Sequence, residues 1–268
     1  MTSARNSDGT MRVMRVIKLG GRAQSDPRLP ALLAQANAAV PGLIVVHGGG
    51  DEVSAMQRRL GLEPTFVGGR RVTSEADLDI VRMLLSGTVN KRIVAQLQSA
   101  GARAVGISGE DGGLLTAQVG DPSFGRVGHK VSCDASVLET LSSHGWMPVI
   151  SPLARDRESA TGAGLNVNGD DAAAAIAAAV GADELLFLAD VDGVLEHERL
   201  VPLLDAAGVD DLVARGVAQG GMRAKLEAAR GALDHGVRSV RIGSLDAILD
   251  LARGTSIVRS LTVSKDPS

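Results

Sequence analysis

The chain of 268 residues is 44% hydrophobic and 22% charged, and its formal net charge is −3 at pH 7. This length suffices for one large α/β domain or two small ones with a substantial core. The weak net charge, an aromatic content of 1% and the lack of Tyr argue against a nucleic-acid partner, because such proteins use basic surfaces and aromatic stacking platforms.

The cysteine content and the N-terminus indicate the compartment. Cys133 is the only cysteine, so a disulfide framework and a thiolate metal site are excluded, as in a reducing cytosol. The segment from Met1 to Arg12 is polar and has no apolar signal region, and no run approaches the roughly 18 apolar residues of a membrane span. We therefore expect a cytoplasmic protein with no membrane partner.

Short apolar runs alternate with longer segments of helical periodicity along the chain. The apolar runs predict strands at Val13 to Leu19, Leu43 to Val46, Ala104 to Ile107, Met147 to Ile150, Glu184 to Leu188 and Ser239 to Ile242. The longer segments predict helices at Leu29 to Val40, Glu75 to Leu85, Val89 to Ala100, Asp134 to His144, Asp170 to Val180 and Met222 to His235. This alternation is typical of a doubly wound α/β sheet with mainly parallel strands.

Glycine-rich turns follow four of the predicted strands, after Leu19, Val46, Ile107 and Leu188. Ligands of doubly wound sheets bind outside the carboxyl ends of the strands, so these turns indicate where a ligand would lie. Each turn taken alone is equally explained as a tight βα connection. The polar stretch from Arg155 to Gly164 predicts a surface loop near the junction of two lobes.

Two lysines next to glycine pairs favour a phosphate site. Lys18 lies in V-I-K-L-G-G at the end of an apolar run, where an unpaired ammonium would be costly to bury, so we expect it to have an anionic partner. Lys225 lies in G-G-M-R-A-K and could equally be a solvated helix residue. Asp170, at the start of an alanine-rich helix, could be a plain N-cap. Glycine N–H groups and lysine together suit anionic oxygens, so phosphoryl transfer is the working hypothesis.

Other common sites are excluded by their motifs. The chain has neither the G-x-x-x-x-G-K-[ST] of P-loop enzymes nor a G-x-G-x-x-G that opens a helix after a strand. It lacks the G-x-S-x-G elbow of esterases, and the acidic residue that an EF-hand would need after D-V-D-G is Val201. His129, His144, His197 and His235 lack metal-ligand spacing, so no protein-held metal is predicted.

A basic pair, Arg70 and Arg71, precedes a predicted helix. Ser74 and Asp77 fit an N-terminal capping box for that helix. An arginine at this point could hold a carboxylate through two hydrogen bonds. The alternative of a solvated basic residue suits Arg70 better than Arg71.

In their order along the chain, nine segments resemble the amino acid kinase family and, within it, the acetylglutamate kinase branch. The resemblance covers Val13 to about Ile257 and rests on V-I-K-L-G-G, V-V-H-G-G-G, G-R-R-V-T, G-T-V-N-K, G-I-S-G-E-D-G, P-V-I-S-P, N-V-N-G-D, L-A-D-V-D-G-V and G-G-M-R-A-K. It implies a three-layer α/β/α sandwich with a mainly parallel central sheet. It also implies one domain over residues 11–268, with an acyl-substrate lobe at about 11–165 and a nucleotide lobe at about 166–268.

The resemblance implies roles for individual residues. Lys18 and Lys225 would contact the transferring phosphoryl group, and Asp170 would hold both ammonium groups. The substrate-binding residues would be Gly49 and Gly50, through their backbone N–H groups, together with Arg71 and Asn166. The nucleotide-binding residues would be Gly20, Gly21, Asp190, Val191, Gly193, Val194 and Leu195.

The implied reaction is ATP-dependent phosphorylation of the γ-carboxylate of N-acetylglutamate, a step of arginine biosynthesis, with Mg²⁺ arriving on ATP. A carboxylate is already ionised at pH 7, so the reaction needs no general base. Two alternatives stay open. One is a kinase for N-acetyl-aminoadipate or its carrier-bound form in lysine biosynthesis, since one methylene gives only about 1–3 kcal/mol of discrimination. The other is a non-catalytic nucleotide or effector sensor.

Three departures from the family pattern affect these expectations. Gly169 stands where N-V-N-A-D is more usual. The segment from Leu195 to Leu204 is shorter than the usual strand pair, which affects the adenine contacts. The N-terminal extension is short and polar, so we expect a homodimer that is insensitive to arginine.

Overall fold

A computed structural model describes residues 13–67 and 70–260. The segment 1–12, on which the expectations about the N-terminus depend, lies outside the described residues. No helix among the described residues has the length and apolar character needed to cross a membrane.

Sixteen strands are described, and most of them are short. In chain order they are β1 (Arg15–Lys18), β2 (Leu43–Val46), β3 (Phe66–Val67), β4 (Arg70–Arg71), β5 (Ala104–Ser108), β6 (Leu115–Val119), β7 (Val127–Cys133), β8 (Met147–Ser151), β9 (Leu153–Asp156), β10 (Gly164–Val167), β11 (Glu184–Leu188), β12 (Leu195–Glu196), β13 (Arg199–Leu200), β14 (Leu203–Asp205), β15 (Ser239–Gly243) and β16 (Thr255–Val258).

Eight α-helices are described. They are α1 (Leu29–Ala39), α2 (Gly50–Arg59), α3 (Glu75–Arg82), α4 (Asn90–Ser99), α5 (Ser136–Ser143), α6 (Gly169–Ala179), α7 (Ala206–Ala214) and α8 (Gly220–Asp234). The periodicity predicts all of them but α2 and α7. A π-helical segment, Met83–Val89, joins α3 to α4. Such segments occur frequently at functional sites. The predicted capping box of Ser74 and Asp77 at the start of α3 is confirmed.

The central sheet has eight strands in the order β14-β16-β15-β11-β1-β2-β8-β5. All six strands that the sequence predicts are neighbours in it, and they pair in parallel. Only β15 and β16 pair antiparallel. The chain builds one half of the sheet outward from β1 through β2 and the other half through β11. The topological switch point, where ligands of such sheets bind, is therefore at the end of β1.

Alternate residues of the strands pack on opposite faces of the sheet. Val16 and Ile44 belong to a core with residues of α5, α6, α7 and α8, whereas Ile17 and Val45 belong to a second core with residues of α1, α3 and α4. Strands buried on both faces require continuous apolar runs. The expected three-layer α/β/α sandwich with a mainly parallel sheet is confirmed.

A second, smaller sheet was not predicted. Strands β10, β7, β6 and β9 pair in a closed ring, and its apolar residues share the first core with α6. The predicted loop from Arg155 to Gly164 is wrong at both ends, because Arg155 belongs to β9 and Gly164 to β10, and these two residues pair. The predicted lobe boundary at about residue 165 consequently falls inside β10.

Candidate active site

One carboxylate binds two lysines at the switch point of the sheet. The Nζ atom of Lys18 lies 2.8 Å from Oδ1 of Asp170. The Nζ atom of Lys225 donates to Oδ2 of the same carboxylate at 3.2 Å. All three side chains are largely buried. The anionic partner expected for Lys18 is therefore Asp170, and two positive charges are held side by side.

Local structure explains why these three groups meet. Lys18 is the last residue of β1, while Asp170 lies in the first turn of α6 and Lys225 in the second turn of α8. The N-cap of α6 is Asn168, whose side chain accepts from the N–H of Asp170. The carboxylate of Asp170 is therefore not used as the helix cap and faces the two lysines. At Gly169 a Cβ would lie 3.1 Å from Cε of Lys18, so glycine leaves room for that side chain.

The electrostatics of the triad favour the ionised carboxylate of Asp170. Burial alone would raise the pKa of Asp170, but Lys18 and Lys225 outweigh it and lower that pKa. Burial lowers the pKa of Lys18, which Asp170 opposes and Lys225 reinforces. A buried charge without its partner is strongly destabilising. The carboxylate therefore partly compensates the cost of burying the Lys18 ammonium group.

Two cavities meet at Lys18. The first has a volume of about 250 Å³ and is lined on its polar side by Lys18, Arg71, Asn166 and Asp170. The second has a volume of about 300 Å³ and is lined by Lys18, Gly21 and residues of the α2 N-terminus. The loop Gly48–Gly50 lines both. An acceptor in one cavity and a phosphate donor in the other would meet beside Lys18.

The predicted substrate residues Gly49 and Gly50 form the start of α2. Gly49 has a φ of 146°, a conformation that side chains rarely adopt, and a Cβ there would lie 2.6 Å from Leu85 of the π-helical segment. None of the described residues accepts a hydrogen bond from the N–H of Gly49 or Gly50. Free N–H groups at a helix N-terminus are suited to anionic oxygens.

Arg71 is anchored to α2 by contacts that the sequence does not reveal. Its Nη2 donates to the carbonyl of Gly50 at 2.8 Å and to Oγ of Ser54 at 2.7 Å, and its Nη1 donates to Oε1 of Gln57. The guanidinium also lies 4.7 Å from the ring centre of Phe66. Ser54 and Gln57 thereby position Arg71 at the wall of the first cavity.

Asn166 and Arg70 line the same cavity. The amide of Asn166 donates to Oγ1 of Thr73 at 3.0 Å, which leaves its carbonyl oxygen without a partner among the described residues. Arg70, which the sequence favours as a solvated residue, instead donates to Nδ1 of His129 at 2.8 Å and lies 4.0 Å from Asp171. Arg70 therefore connects β4 with β7 of the small sheet and with α6.

The predicted nucleotide residues occupy the next turns along the sheet. At Gly20 a Cβ would lie 2.3 Å from the carbonyl of Leu188, and at Gly21 it would lie 3.2 Å from the carboxylate of Asp190. These glycines therefore let the turn after β1 pack against the turn after β11. Asp190 also lines a cavity of about 310 Å³ with Ser244.

The remaining nucleotide candidates differ in exposure. Val191 and Leu195 are 39% and 44% exposed, whereas Val194 is buried in the core and its N–H donates to Oγ1 of Thr255. A Cβ at Gly193 would lie 2.6 Å from both Leu200 and Thr255. The side chain of Val194 therefore serves packing, and its carbonyl accepts from the N–H of Val201 at 2.9 Å, so its polar backbone groups are used within the protein.

Comparison with known proteins agrees with this arrangement. The amino acid kinase family model matches residues 14–244. An acetylglutamate kinase of Chloroflexus aurantiacus is 44% identical over 244 residues, which are 90% of this chain and 95% of that protein. An acetylglutamate kinase of Methanopyrus kandleri is 42% identical over 255 residues, which are 91% of this chain and all of that protein.

A solved structure from Streptococcus mutans UA159 has the same fold. It superposes with a TM-score of 0.82 at 28% identity and covers 92% of this chain and 99% of its own. The family model spans the switch point, both glycine loops and all three residues of the triad. This chain belongs to the amino acid kinase family.

Proposed function

We propose that this chain is a kinase that transfers the γ-phosphoryl group of ATP to the γ-carboxylate of N-acetyl-L-glutamate, as in arginine biosynthesis. The curated relatives support the substrate. The observation that carries the chemistry is the single buried carboxylate of Asp170 between Lys18 and Lys225. In the proposed reaction these two positive charges would lie beside the phosphoryl group as its charge develops.

The reaction needs positioning and charge stabilisation rather than a base. A carboxylate oxygen attacks the γ-phosphorus, the bond from that phosphorus to the β,γ-bridging oxygen breaks, and ADP leaves with the electron pair. No proton has to move, because the γ-carboxylate is ionised at neutral pH. Lys18 and Lys225 would bind the oxygens of the phosphoryl group, and Asp170 would keep the two ammonium groups apart and in place.

The first cavity would hold the acyl substrate. The N–H groups of Gly49 and Gly50 would bind the reacting carboxylate, since neither has an acceptor among the described residues. Arg71 would bind the other carboxylate of the substrate through its charge and the N–H groups of Nε and Nη1 that its contacts with α2 leave without a partner among the described residues, and the unpartnered carbonyl of Asn166 would accept from the acetamido N–H. Charge at one end and a hydrogen-bonding amide at the other would orient the molecule.

The nucleotide would lie along the turns after β1 and β11. Gly20 and Gly21 would admit its phosphates close to the backbone, and the segment Asp190–Leu195 would line the rest of its site. Both oxygens of Asp170 are engaged by lysines, so a Mg²⁺ ion would be held by phosphate oxygens and water, as this ion prefers. When bound, it would neutralise phosphate charge.

We also propose the division into an acyl-substrate lobe and a nucleotide lobe that meet near β10. The homodimer and the cytoplasmic location stay predictions of the sequence. Light scattering of the purified protein measures the first, and fractionation of the source cells measures the second.

The test is trapping of the product. With MgATP, N-acetylglutamate and hydroxylamine, the protein should form the acyl hydroxamate in step with ADP, because an acyl phosphate reacts with hydroxylamine. ADP release without hydroxamate would show hydrolysis of ATP and not transfer to a carboxylate. The Lys225→Met protein serves as the control for contaminating kinases.

A further inference from the structure

His47 lies where β2 ends and the loop Gly48–Gly50 begins. Its side chain is 0% exposed and lines neither of the cavities beside Lys18. Its backbone N–H donates to the carbonyl of Ile150 in β8 at 3.1 Å. The residue is therefore held in place directly before a glycine loop that lines both cavities.

The hydrogen bonds of His47 fix the position of its proton. Nδ1 lies 2.7 Å from the carbonyl oxygen of Gly48, which can only accept, so Nδ1 carries the hydrogen. Nε2 lies 3.1 Å from Nδ2 of Asn90, so Nε2 accepts. Burial lowers the pKa of His47 to about 4, so the ring is neutral at pH 7. His47 is thus a donor to the loop rather than a proton carrier.

Asn90 is itself held on every side, at the junction of the π-helical segment and α4. Its Nδ2 also donates to the carbonyl of Val149 at 2.9 Å, and its Oδ1 accepts from Lys91 at 2.9 Å. A Cβ at Gly106 would lie 1.9 Å from that oxygen, so only glycine leaves space for the amide. A buried polar network with every member satisfied is rigid. The contacts of Asn90 consequently fix the orientation of the His47 imidazole beneath the loop Gly48–Gly50.

The consequence for the loop follows from the planarity of the peptide bond. The carbonyl of Gly48 and the N–H of Gly49 belong to one trans peptide and point in opposite directions. Because the carbonyl is held against the His47 ring, the N–H of Gly49 faces away from the ring. None of the described residues accepts from that N–H, so it is available to a ligand.

We propose that His47, held by Asn90, is a positioning residue that aims the N–H of Gly49 at the reacting oxygens. His47 acts through the carbonyl of Gly48 and touches neither substrate. The inference rests on the proposed phosphoryl transfer and adds a component to it. A backbone donor aimed in advance contributes to the rate because it needs no reorganisation in the transition state.

Two variants of similar shape distinguish the roles of the two ring nitrogens of His47. His47→Asn keeps an N–H at the place of Nδ1 and loses the acceptor at Nε2. His47→Gln reaches the place of Nε2 and loses the donor to Gly48. We expect His47→Asn to keep kcat within about threefold of wild type, and His47→Gln to lower it by about 10- to 100-fold. The KM for ATP should stay within about threefold of wild type in both variants. A general loss of structure would instead raise it.

The assay is steady-state turnover of N-acetylglutamate with MgATP at pH 7.5, together with circular dichroism to verify folding. Equal loss of kcat in His47→Asn and His47→Gln, or wild-type kcat in His47→Gln, would overturn the inference. If His47→Gln does not fold, His47→Leu decides, because it also lacks the donor to Gly48; its expected loss is about tenfold or more in kcat, and wild-type kcat in the folded variant overturns the inference. An inactive wild type overturns the proposed function and this inference with it, whereas an active wild type with unaffected variants overturns the inference alone.

Discussion

Lys18 at the end of β1 and Asp170 in the first turn of α6 come from distant parts of the chain, and their charged atoms lie 2.8 Å apart. Lys225 in the second turn of α8 binds the other oxygen of the same carboxylate. Three elements of the fold therefore converge on one anion. Charge stabilisation at this point is the core of the proposed mechanism.

Removal of either ammonium group should lower turnover and leave binding nearly intact. Lys18→Met and Lys225→Met keep most of the side-chain length and lose the charge that would act in the transition state. We expect kcat to fall by about 10²-fold or more in each, with KM values changed by no more than about threefold. Lys130→Met, at an exposed position on β7, is the matched control. Equal effects on kcat and KM would contradict the assigned role.

The alkaline limit of activity should depend on Asp170. Burial lowers the pKa of Lys18, and the Asp170 carboxylate opposes that effect. The rate requires the ammonium form and is lost as the pH rises through the pKa of Lys18. In Asp170→Asn the opposing charge is gone, so the alkaline limb of kcat/KM should move to lower pH. Asp171→Asn is the control and should leave the alkaline limb of kcat/KM where it is in wild type. The same alkaline limb in wild type and Asp170→Asn would show that Asp170 does not influence the pKa of Lys18.

Arg71 should govern the affinity for the acyl substrate. Arg71→Lys keeps the charge but loses the planar guanidinium and the N–H groups that would bind the carboxylate. We expect KM for N-acetylglutamate to rise by about tenfold or more, with KM for ATP unchanged. Arg59→Lys, exposed at the end of α2, controls for the loss of a guanidinium elsewhere. A selective increase in KM for ATP would place Arg71 on the nucleotide side instead.

The stability of the protein should fall on mild acidification because of His47. Its pKa is about 4 in the folded protein against about 6.5 in the unfolded chain, so the unfolded chain binds the extra proton as the pH falls through this window. Stability is therefore lost between pH 6.5 and 4, by about 2 kcal/mol from pH 7 to pH 5. Urea unfolding should show this loss in wild type and a smaller one in His47→Asn. Equal losses would exclude His47 as the cause.

Gly20 should be intolerant of a side chain for a reason of packing. A Cβ at this position would lie 2.3 Å from the carbonyl of Leu188, which is backbone and cannot turn away. We expect Gly20→Ala to lower the free energy of unfolding by about 1–3 kcal/mol. Gly221→Ala is the control, because nothing lies within 4 Å of its added Cβ. Chemical denaturation of both variants measures the difference.

The sequence predicts the central sheet well because its strands are buried on both faces. Continuous apolar runs such as Leu43–Val46 cannot be solvated on either side, and their alternation with helices leaves few topologies. The ring of β6, β7, β9 and β10 escapes this reasoning. Its strands mix polar residues such as Thr116 and His129 with glycine, and the ring closes through the pairs β6–β9 and β7–β10, whose strands are distant in the chain.

The site was predictable to the extent that burial of a charge demands a partner. Lys18 at the end of an apolar run required an anion, but that argument does not name the anion, and the family resemblance is what implied Asp170. The orientation of Asp170 depends on Asn168, which caps α6 and leaves Asp170 to face the lysines. The contacts of Arg71 with Ser54 and Gln57, and of His47 with Asn90, join separate elements and have no local signal.

The most direct test of the proposed activity is a comparison of substrates under identical conditions. Initial rates of ADP formation with MgATP would be measured for N-acetylglutamate, N-acetyl-aminoadipate, glutamate and aspartate. We predict the highest kcat/KM with N-acetylglutamate and a loss of that activity in Lys18→Met. A higher kcat/KM with N-acetyl-aminoadipate, or no turnover of any of the four by folded wild-type protein, would contradict the proposed function.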